Sequence, residues 1–549
     1  MATPRPGRAR AVVRSVLLFS PVVVAFFVIL PRLLSPQFGL LDDGVTLRAV
    51  GHVSDNWTSA FTMAHGDGRF FPSYFFFLFL IHLLAGPHPF LFYAAYSTVF
   101  AATTAGLIGL VRLMGGTPLQ AWAAGIFFVV SGPAVENFYT LSKQEPPQLL
   151  WVVISLLLAA VGVRSRNRWT KLAGLAATTG ALLVADTTKE TGIVTVAVAV
   201  GWLVVGRLCL DPARDALHLA WRRRYVLASV LAAAGFFVLR AYSGAPSLSQ
   251  RGYSRLYRLE AVTIWGSFVD ALALLSRDLA YVVPLAVLAV VLRITRPRPQ
   301  RPLLLDAVVW MCGWLAVYLP WSWVVEYYLL PFAFGAAAFC GVVAGEAIQA
   351  LKDERGRGVR TTVAVCVGAL LVLFPLSVAN VATNGAIQLA VDAANYQLVR
   401  FISALPKGSA VSVNMPNPNE YVYEIGVHVR HTEGRPDIVV DYFETGSGAR
   451  RAAGGYVATV VMKSQVVPSV RIAMNEAGAG ELSQTLARAL GDGREPVFRI
   501  RRRVQLMMVN LHHPVCALLG TLARSLYCRW PAPFVDTREF SYGWNVYRQ

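Results

Sequence analysis

Charged residues are scarce in this sequence, and that scarcity excludes an ordinary soluble fold. Only 15% of the 549 residues are charged, against roughly 25% in a typical soluble domain. Acidic residues are the scarcer sign, with 31 Asp and Glu against 50 Lys and Arg. Hydrophobic residues make up 55% of the chain, and they are concentrated in long blocks. This composition predicts a polytopic integral membrane protein.

Cysteine is also scarce, because the chain holds only six, too few for a disulfide scaffold. Cys312, Cys340 and Cys366 lie in apolar blocks and are interpreted as packing residues. Cys516 and Cys528 lie twelve residues apart near the C-terminal end and can pair. No CxxC motif occurs, and the histidines lack the spacing of zinc ligands. The sequence therefore carries no signature of a zinc site.

The apolar blocks predict about eleven membrane-spanning helices. Pro89 to Val111 is 23 residues without one charge, enough to cross a bilayer core of roughly 30 Å as a helix. Eleven such blocks are not a soluble core, so the sequence predicts an all-α membrane bundle. The other ten blocks are Val16–Leu30, Leu119–Pro133, Gln148–Val163, Leu172–Ala185, Gly192–Gly206, Tyr225–Val238, Leu279–Leu292, Leu303–Leu319, Tyr328–Ala344 and Thr361–Val378.

The distribution of charge predicts how the blocks are oriented. With a cytoplasmic N-terminus, the cytoplasmic segments hold 22 Lys or Arg against 4 Asp or Glu, and the outer segments hold 8 basic and 12 acidic residues. Basic residues favour the cytoplasmic side, so this orientation explains the net charge of +19 without a nucleic-acid partner. It places the chain after about Val378 outside. Because 44 of the 50 basic residues are Arg, we expect a bacterial protein of the inner membrane.

The chain is predicted to consist of a cytoplasmic tail (1–14), a membrane domain (15–378) and a C-terminal periplasmic α/β domain (379–549). Within the first outer loop, 33–89, the short run Phe71–Ala85 is predicted to be an interfacial helix. The α/β prediction rests on helical spacing at Ala386–Leu405 and Glu481–Leu490 and on strand-like stretches at Ala410–Val413, Ile438–Val440, Tyr456–Met462, Val497–Ile500 and Gln505–Val509. Arg499, Arg501, Arg502 and Arg503 alternate about Ile500, which indicates a solvated or headgroup-facing strand.

Ionisable residues near the membrane collect in the predicted outer segments. Such residues are costly near a bilayer and are functional candidates for that reason. Carboxylates from separate loops can hold a divalent cation or act as a general base, and Lys or Arg can hold a phosphate. The plain alternative is a set of hydrophilic loops. The candidates are Asp42, Asp43, Asp67, Arg69, Glu136, Lys143, Glu145, Asp186, Lys189, Glu190 and Glu326.

The order of these residues resembles that of the GT-C glycosyltransferases, which include protein O-mannosyltransferases and aminoarabinose transferases. The resemblance rests on an acidic pair after the first span, Gly68-Arg69-Phe70-Phe71-Pro72, a second acidic outer loop, and Glu326-Tyr327-Tyr328-Leu329-Leu330-Pro331. It covers the chain to about residue 378 and implies a GT-C-like bundle. It also implies inverting transfer of a hexosyl or pentosyl group from a polyprenyl-phosphate donor, often with a metal. The acidic pair here is Asp-Asp, whereas the common family form is Asp-Glu.

We therefore expect a membrane glycosyltransferase with a periplasmic active site. Asp42 or Asp43 would take the acceptor proton, and Arg69 and Lys189 would hold the donor phosphate. The C-terminal domain would help to bind a cell-envelope glycan, lipid or protein acceptor. A divalent cation (Mg, Mn or Ca) is expected at Asp43, Glu136 and Glu145, with Asp67, Lys143, Asp186, Glu190 and Glu326 as further site candidates.

Two other functions stay open at this point. A transporter or flippase for lipid-linked glycans would place ionisable groups near mid-membrane and often shows an inverted repeat. Here the span interiors are nearly free of charge and no repeat is evident. A lipid-linked glycan polymerase or ligase would use the same class of donor on another fold. A single outer cavity containing Asp42, Glu136 and Lys189 would favour the glycosyltransferase.

Overall fold

The structure is a computed structural model. It describes residues 6–40, 43–63, 68–211, 215–245, 257–295, 301–322, 324–352, 357–415, 418–442, 455–463, 494–519, 528 and 534–548. Most of these residues are helical, and the strands all follow residue 409.

The helices of the bundle follow one another through short connections. They are α1 (Pro6–Leu34), α2 (Asp43–Asp55), α3 (Pro72–Ala85), α4 (Pro89–Leu113), α5 (Pro118–Val129), α6 (Gly132–Phe138), α7 (Glu145–Arg164), α8 (Arg168–Thr188), α9 (Val194–Cys209), α10 (Ala216–Tyr242), α11 (Ala261–Asp278), α12 (Val282–Thr295), α13 (Arg301–Ala316), α14 (Leu330–Lys352) and α15 (Arg357–Ser403). Several begin with proline in the first turn, where its missing N–H costs no helical hydrogen bond.

The described residues contain seven helices that are long and apolar enough to cross a membrane, so the chain is a multi-pass membrane protein. The number rises to nine if two bent pairs, α5 with α6 (58°) and α11 with α12 (94°), each count as one span. The expected count of eleven is not confirmed. The seven are Ser15–Leu34, Pro89–Leu113, Glu145–Arg164, Glu190–Cys209, Ala216–Tyr242, Glu326–Lys352 and Arg360–Ser403.

Small residues let the central helices pack closely. Gly341 and Gly345 lie one turn apart on α14 and face α5, where a Cβ on Gly341 would come within 2.5 Å of the Gln120 carbonyl oxygen. Close approach at small residues is a common way for membrane helices to associate. A side chain at either glycine would separate α5 from α14 at the centre of the bundle.

Helix α15 runs without interruption from the bundle into the C-terminal region. It is 47 residues long and therefore roughly 70 Å in length. The predicted domain boundary at 378/379 falls inside it, and the helix predicted at Ala386–Leu405 is its last part. Ile387, Ala394 and Ile402 on this part are buried in a core shared with the sheet.

The C-terminal sheet has five strands in the order β2-β1-β3-β7-β4. Strand β1 pairs in parallel with β2 and β3, while β7 pairs antiparallel with β3 and β4. A separate two-stranded sheet joins β5 and β6. The strands are β1 (Ala410–Asn414), β2 (Val439–Tyr442), β3 (Tyr456–Lys463), β4 (Phe498–Gln505), β5 (Met508–Val509), β6 (Val535–Asp536) and β7 (Glu539–Arg548).

The small C-terminal α/β fold that the sequence predicts is confirmed, with differences in detail. Strand β7, at the middle of the antiparallel part, was not predicted. The helix predicted at Glu481–Leu490 lies outside the described residues. Cys516 and Cys528 form a disulfide, with Cα atoms 5.1 Å apart.

A short helix, α16 (Pro418–Val427), joins the C-terminal region to the first outer loop. The Gly44 N–H at the start of α2 donates to Glu424 Oε2 (2.5 Å), and His428 Nε2 lies 3.2 Å from the Gly39 carbonyl oxygen. Burial lowers the pKa of His428 to about 4, so its ring is neutral near pH 7. These buried contacts fix α16 against α2.

Candidate active-site cavity

A cavity of about 1070 Å³ lies at one end of the bundle. Its walls come from α2, the segment before α3, the loop between α6 and α7, the turn after α8, the end of α10 and the segment that follows α13. Tyr423 on α16 also lines it, so the C-terminal region contributes to the wall. In the predicted topology, all of these segments lie on the outer side.

Arg69 is held in the cavity wall by several contacts. Its Nη2 donates to Gln144 Oε1 (2.8 Å) and to Glu190 Oε2 (3.3 Å). Its guanidinium lies 4.5 Å from the ring centre of Phe71, a cation–π arrangement. The Phe70 N–H donates to the other carboxylate oxygen of Glu190 (2.8 Å), which fixes the backbone beside Arg69. The guanidinium is therefore oriented before any ligand arrives.

Lys189 lies in the turn that follows α8, next to Glu190, the partner of Arg69. Its ammonium group pairs with Glu145 at the start of α7, and its carbonyl oxygen accepts a hydrogen bond from Gln148 Nε2 (2.7 Å). Burial lowers the pKa of Lys189, while the charge of Glu145 opposes that shift. The lysine is therefore a buried cation whose charge depends on its partners.

Two tyrosines form the surface on which the cavity lysines rest. Lys143 Nζ lies 4.1 Å from the ring centre of Tyr327, and Lys189 Nζ lies 4.6 Å from that of Tyr328. The two tyrosine rings are 4.3 Å apart, and Tyr318 stacks on Tyr328 at 4.9 Å. Aromatic faces attract cations and also pack well against flat apolar surfaces.

Positive charge exceeds negative charge in the described cavity wall. Five lining residues are Lys or Arg and two are Glu, which leaves a surplus of three positive charges. Both carboxylates contact a cation, and the net positive charge of the described wall favours an anionic ligand. The cationic residues are Arg48, Arg69, Lys143, Lys189 and Arg240.

One side of the cavity is apolar. Ile193, Val194 and Ala197 at the start of α9 face Phe236 and Phe237 near the end of α10. Phe237 is 56% exposed, so this side reaches the outer surface of the bundle. A ligand with a charged head and a long hydrocarbon chain could place each part against matching walls.

Five of the candidates predicted from the sequence line this cavity, namely Arg69, Lys143, Glu145, Lys189 and Glu190. It did not select Arg240, whose Nη2 donates to the Gly68 carbonyl oxygen (2.7 Å). An available signal was its position at the outer end of α10, where basic residues are uncommon. Tyr257 and Tyr318 had no comparable signal, because outer-end tyrosines are frequent in membrane proteins.

Asp43, the described member of the predicted base pair Asp42–Asp43, does not point into the cavity. The carboxylate of Asp43 is buried and accepts a hydrogen bond from the Gly39 N–H (2.7 Å), and Asp43 is not among the residues lining the cavity. Asp42 and Asp67 lie outside the described residues. The catalytic role of the Asp42–Asp43 pair therefore stays a prediction.

Two further candidates, Glu136 and Glu326, contact neighbouring helices and do not line the cavity. Glu136 on α6 is buried and accepts a hydrogen bond from Gln388 of α15. Glu326 pairs with Arg277 (2.5 Å), which also makes a two-point contact with Asp278 (2.6 and 2.8 Å). These contacts join α6 to α15 and α11 to the segment before α14.

Asp186 lies below the turn that carries Lys189. It is 1% exposed, and neither carboxylate oxygen has a hydrogen-bond partner among the described residues. A Cβ on Gly192 would come within 2.5 Å of one of these oxygens. Asp186 is therefore buried against the turn near Gly192 and does not line the cavity.

The residues expected to hold a cation are not gathered in this structure. Among the described residues, no three Asp, Glu, His or Cys side chains could hold a metal ion together. Glu145 pairs with Lys189, and Glu136 bonds Gln388, so both carboxylates already have other partners. In this arrangement, these residues do not fit a metal centre.

Comparison with known proteins gives matches to solved structures alone. No protein-family model and no curated protein matches the sequence significantly. ArnT from Cupriavidus metallidurans bound to undecaprenyl phosphate is 15% identical, with 81% of this chain and 92% of that chain covered and a TM-score of 0.47. The apo form of the Archaeoglobus fulgidus oligosaccharyltransferase is 9% identical, with 89% and 69% covered and a TM-score of 0.49.

A second structure of the Archaeoglobus fulgidus oligosaccharyltransferase, tethered with an acceptor peptide, has a TM-score of 0.47 at 9% identity. This chain spans 64% of its length. Similarity at this level does not decide the function, which depends on the chemistry of the cavity.

Proposed function

We propose that this protein is a membrane glycosyltransferase that moves a sugar from a polyprenyl-phosphate donor to a cell-envelope acceptor at the outer face. The observation that carries the proposal is the composition of the cavity. Its described wall combines a surplus of three cationic side chains, a group of tyrosines and an apolar side that reaches the surface of the bundle. A lipid-linked sugar phosphate has the three matching parts.

The donor phosphate would lie between Arg69 and the two cavity lysines. Arginine presents a planar fork that matches two phosphate oxygens, whereas lysine offers a point charge. Glu190 and Glu145 hold Arg69 and Lys189 in place before binding. The phosphate would share these cations with the carboxylates, and the positive charges of Lys143, Arg48 and Arg240 would offset the added negative charge.

The sugar and the lipid would take the two remaining parts of the cavity. Tyr327 and Tyr328 present aromatic faces, which suit the apolar face of a sugar ring. The hydrocarbon chain would leave along Ile193, Val194 and Phe237 toward the bilayer. Because lipid tails are as apolar as these side chains, the apolar side would add little affinity of its own, and the cations would both hold and position the phosphate.

The reaction would be a displacement at the anomeric carbon with inversion. An acceptor hydroxyl oxygen forms the new bond to that carbon, the bond to the phosphate oxygen breaks, and polyprenyl phosphate leaves. The hydroxyl proton passes to a carboxylate of the Asp42–Asp43 pair, which we assign to Asp42 because the described Asp43 does not line the cavity. Arg69 and Lys189 stabilise the negative charge that grows on the leaving phosphate.

Two observations support an outer location for this chemistry. The predicted cytoplasmic segments carry 22 of the basic residues, and the disulfide between Cys516 and Cys528 is of a kind that persists in oxidising compartments. Reporter fusions after Arg168, Arg223 and Arg357 should report the cytoplasm, and fusions after Gly244 and Gly454 the outer side. A cytoplasmic signal at Gly454 would contradict the orientation and the outer active site.

The direct test is sugar transfer by the purified protein in lipid vesicles. A radiolabelled polyprenyl-phosphate sugar is supplied with a crude cell-envelope acceptor, and the product is examined for its anomeric configuration. We expect consumption of the donor and a product of inverted configuration. Movement of intact donor across the membrane without its consumption would instead identify a flippase and would overturn the proposal.

A further inference from the structure

The edge strand of the C-terminal sheet carries a dense group of arginines. Strand β4 lies at the end of the strand order β2-β1-β3-β7-β4. Residues Arg499, Arg501, Arg502 and Arg503 on it are all exposed. Four of the 18 basic residues in the region 380–549 therefore fall within five positions.

These arginines have little to neutralise them. Among the described residues, the side chains of Arg499, Arg501 and Arg502 make no hydrogen bond or ion pair. Arg503 has a partner, Glu539, at 3.5 Å, but both side chains are about half exposed or more, and pairs of that kind contribute little energy. The strand therefore carries nearly its full positive charge.

The alternation of the strand places three of the arginines on one side. Phe498, Ile500 and Val504 pack toward the core beneath the sheet, and Phe498 stacks on Phe401 of α15 at 4.3 Å. Arg499, Arg501 and Arg503 lie on the opposite side, with roughly 7 Å between successive positions. We call these three residues the arginine face.

The neighbouring strand leaves the arginine face open to a ligand. The residues of β7 opposite Arg499, Arg501 and Arg503 are Asn545, Gly543 and Ser541, which are uncharged and short. The residues of β7 directly opposite the three arginines therefore carry no carboxylate, and Glu539 of β7 contacts the Arg503 end of the face at 3.5 Å.

The direction of β4 argues against a lipid surface as the partner. Phe498 contacts α15 at Phe401, and beyond the other end of the strand the Val509 N–H donates to Asn380 Oδ1 of the same helix (2.8 Å). These two contacts on α15 are 21 residues apart, roughly 31 Å along a helix. Because the first part of α15 lies in the membrane, the strand rises away from the bilayer. Lipid headgroups could reach only its Arg503 end.

We propose that the arginine face binds an extended acidic glycan that carries repeated carboxylates. Each guanidinium can hold a carboxylate in a two-point contact, and the regular spacing suits a chain with repeated charges. Charges that protect edge strands from aggregation are most often Lys, whereas all four charges here are Arg.

This inference rests on the proposed function and names its acceptor class. Helix α16, which lines the cavity through Tyr423, packs beside β2 at the other edge of the sheet. Four strand spacings separate β2 from β4, or roughly 19 Å. Only a long acceptor could contact the arginine face and reach the cavity at the same time, so the acceptor is a polymer.

Binding of labelled polygalacturonate to the full-length protein in detergent tests the inference. Replacing Arg499, Arg501 and Arg503 together by Gln should weaken binding at least tenfold, and Arg502→Gln, on the other side of the strand, should have a smaller effect. The control replaces the exposed Arg400, Lys407 and Arg430 of the same region by Gln, which removes the same charge elsewhere. We expect the control to bind as the wild type does.

Several outcomes would overturn the inference. The first is that the arginine-face variant and the control bind polygalacturonate equally well, and the second is that the wild type binds neutral dextran as well as it binds polygalacturonate. The third is that the wild type binds polyphosphate but not polygalacturonate. The fourth is that the arginine-face variant loses binding only to phosphatidylglycerol vesicles and still binds polygalacturonate. The assay does not require sugar transfer, so its failure would leave donor binding at the cavity untouched. In transfer assays, the variant should lose activity on long acidic acceptors and keep activity on short ones.

Discussion

The two ends of the same helices use charge in different ways. At one end, Arg222 of α10 pairs with Asp306 of α13 (2.6 Å), and Arg293 of α12 pairs with Glu346 of α14 (2.8 Å). Each of these two cations has a carboxylate partner on another helix. At the other end, the described wall of the cavity holds five cations and two carboxylates. Paired charges connect helices, whereas the cations in excess at the cavity provide a place for an anionic ligand.

The distance between the ends matches a membrane. Arg222 and Arg240 lie on α10 and are 18 residues apart, roughly 27 Å along the helix axis, close to the thickness of the hydrocarbon core. Arg222 pairs within the bundle and Arg240 lines the cavity. One helix therefore carries a structural arginine and a cavity arginine at opposite surfaces of the membrane.

The largest expected effect is the loss of transfer rate when the proposed base is removed, because the cations of the cavity cannot take the proton of the acceptor hydroxyl. Replacing Asp42 and Asp43 together by Asn should lower the transfer rate by about 10²–10⁴-fold, the usual cost of removing a general base. Donor binding and thermal stability should change much less. A double variant that transfers sugar at the wild-type rate would exclude both residues as the base.

Breaking the buried pair of Arg222 and Asp306 should lower the free energy of unfolding and leave donor affinity unchanged. Arg222→Ala leaves Asp306 buried without its partner, and such a change typically destabilises a protein by about 3–5 kcal/mol. Replacing both residues, Arg222→Met with Asp306→Leu, should recover most of that loss, because no buried charge remains. Thermal unfolding in detergent measures the effect. If Arg222→Ala unfolded as the wild type does and lost donor binding, the division between the two ends would be wrong.

Arg69 and Lys189 should differ in how they tolerate exchange. If Arg69 holds the phosphate through its fork, Arg69→Lys should weaken donor use nearly as much as Arg69→Ala, by roughly 10- to 100-fold for a lost charge-assisted contact. Lys189→Arg should be milder than Lys189→Ala, since a point charge survives the exchange. Transfer rate against donor concentration distinguishes these cases. Wild-type behaviour of Arg69→Lys together with failure of Arg69→Ala would leave a charge requirement without a two-point contact.

The smallest expected effect is a pH dependence at Lys189. Burial lowers the pKa of this lysine, so it loses its proton at a lower pH than an ordinary lysine, whose pKa is about 10.4. Donor affinity should therefore fall as the pH rises through the lowered pKa. Lys189→Arg should move that fall to higher pH, because arginine stays charged. Identical alkaline profiles for the two proteins would show that Lys189 does not titrate in the binding step.

The sequence predicted that the candidate residues lie at one side of the membrane. It predicted less about where each side chain points. Lys189 and Glu145 were found because a charge in a short outer turn is costly and therefore noticeable. The same reasoning selected Glu136 and Glu326, which instead bond Gln388 and Arg277. Position at a helix end does not determine which neighbour a carboxylate faces, because that depends on tertiary packing.

The sheet shows the same division between local and tertiary information. Strands β1 and β3 were predicted from their apolar runs. Strand β7 was missed although Phe540, Tyr542, Trp544 and Val546 alternate with polar residues, as strand residues do. Helix α11 was also missed, since the predicted block Leu279–Leu292 begins only after α11 ends, and a bend of 94° separates α11 from α12. That bend depends on the contacts of α11 with neighbouring segments and not on its own apolar pattern.

Binding of a polyprenyl phosphate without any sugar tests the central claim most directly, because it requires only the charge surplus and the apolar side. Affinity is measured in detergent for the wild type, for Arg69→Gln with Lys189→Gln, and for a control with Arg223→Gln and Arg293→Gln at the opposite end. The control removes the same charge, and Arg293 is about as buried as Arg69, with side-chain exposures of 26% and 21%. We predict a loss of roughly 100-fold or more for the cavity variant, as expected for two charge-assisted contacts, and wild-type affinity for the control. Equal affinities of the three proteins would contradict the claim that the cavity surplus binds a lipid phosphate.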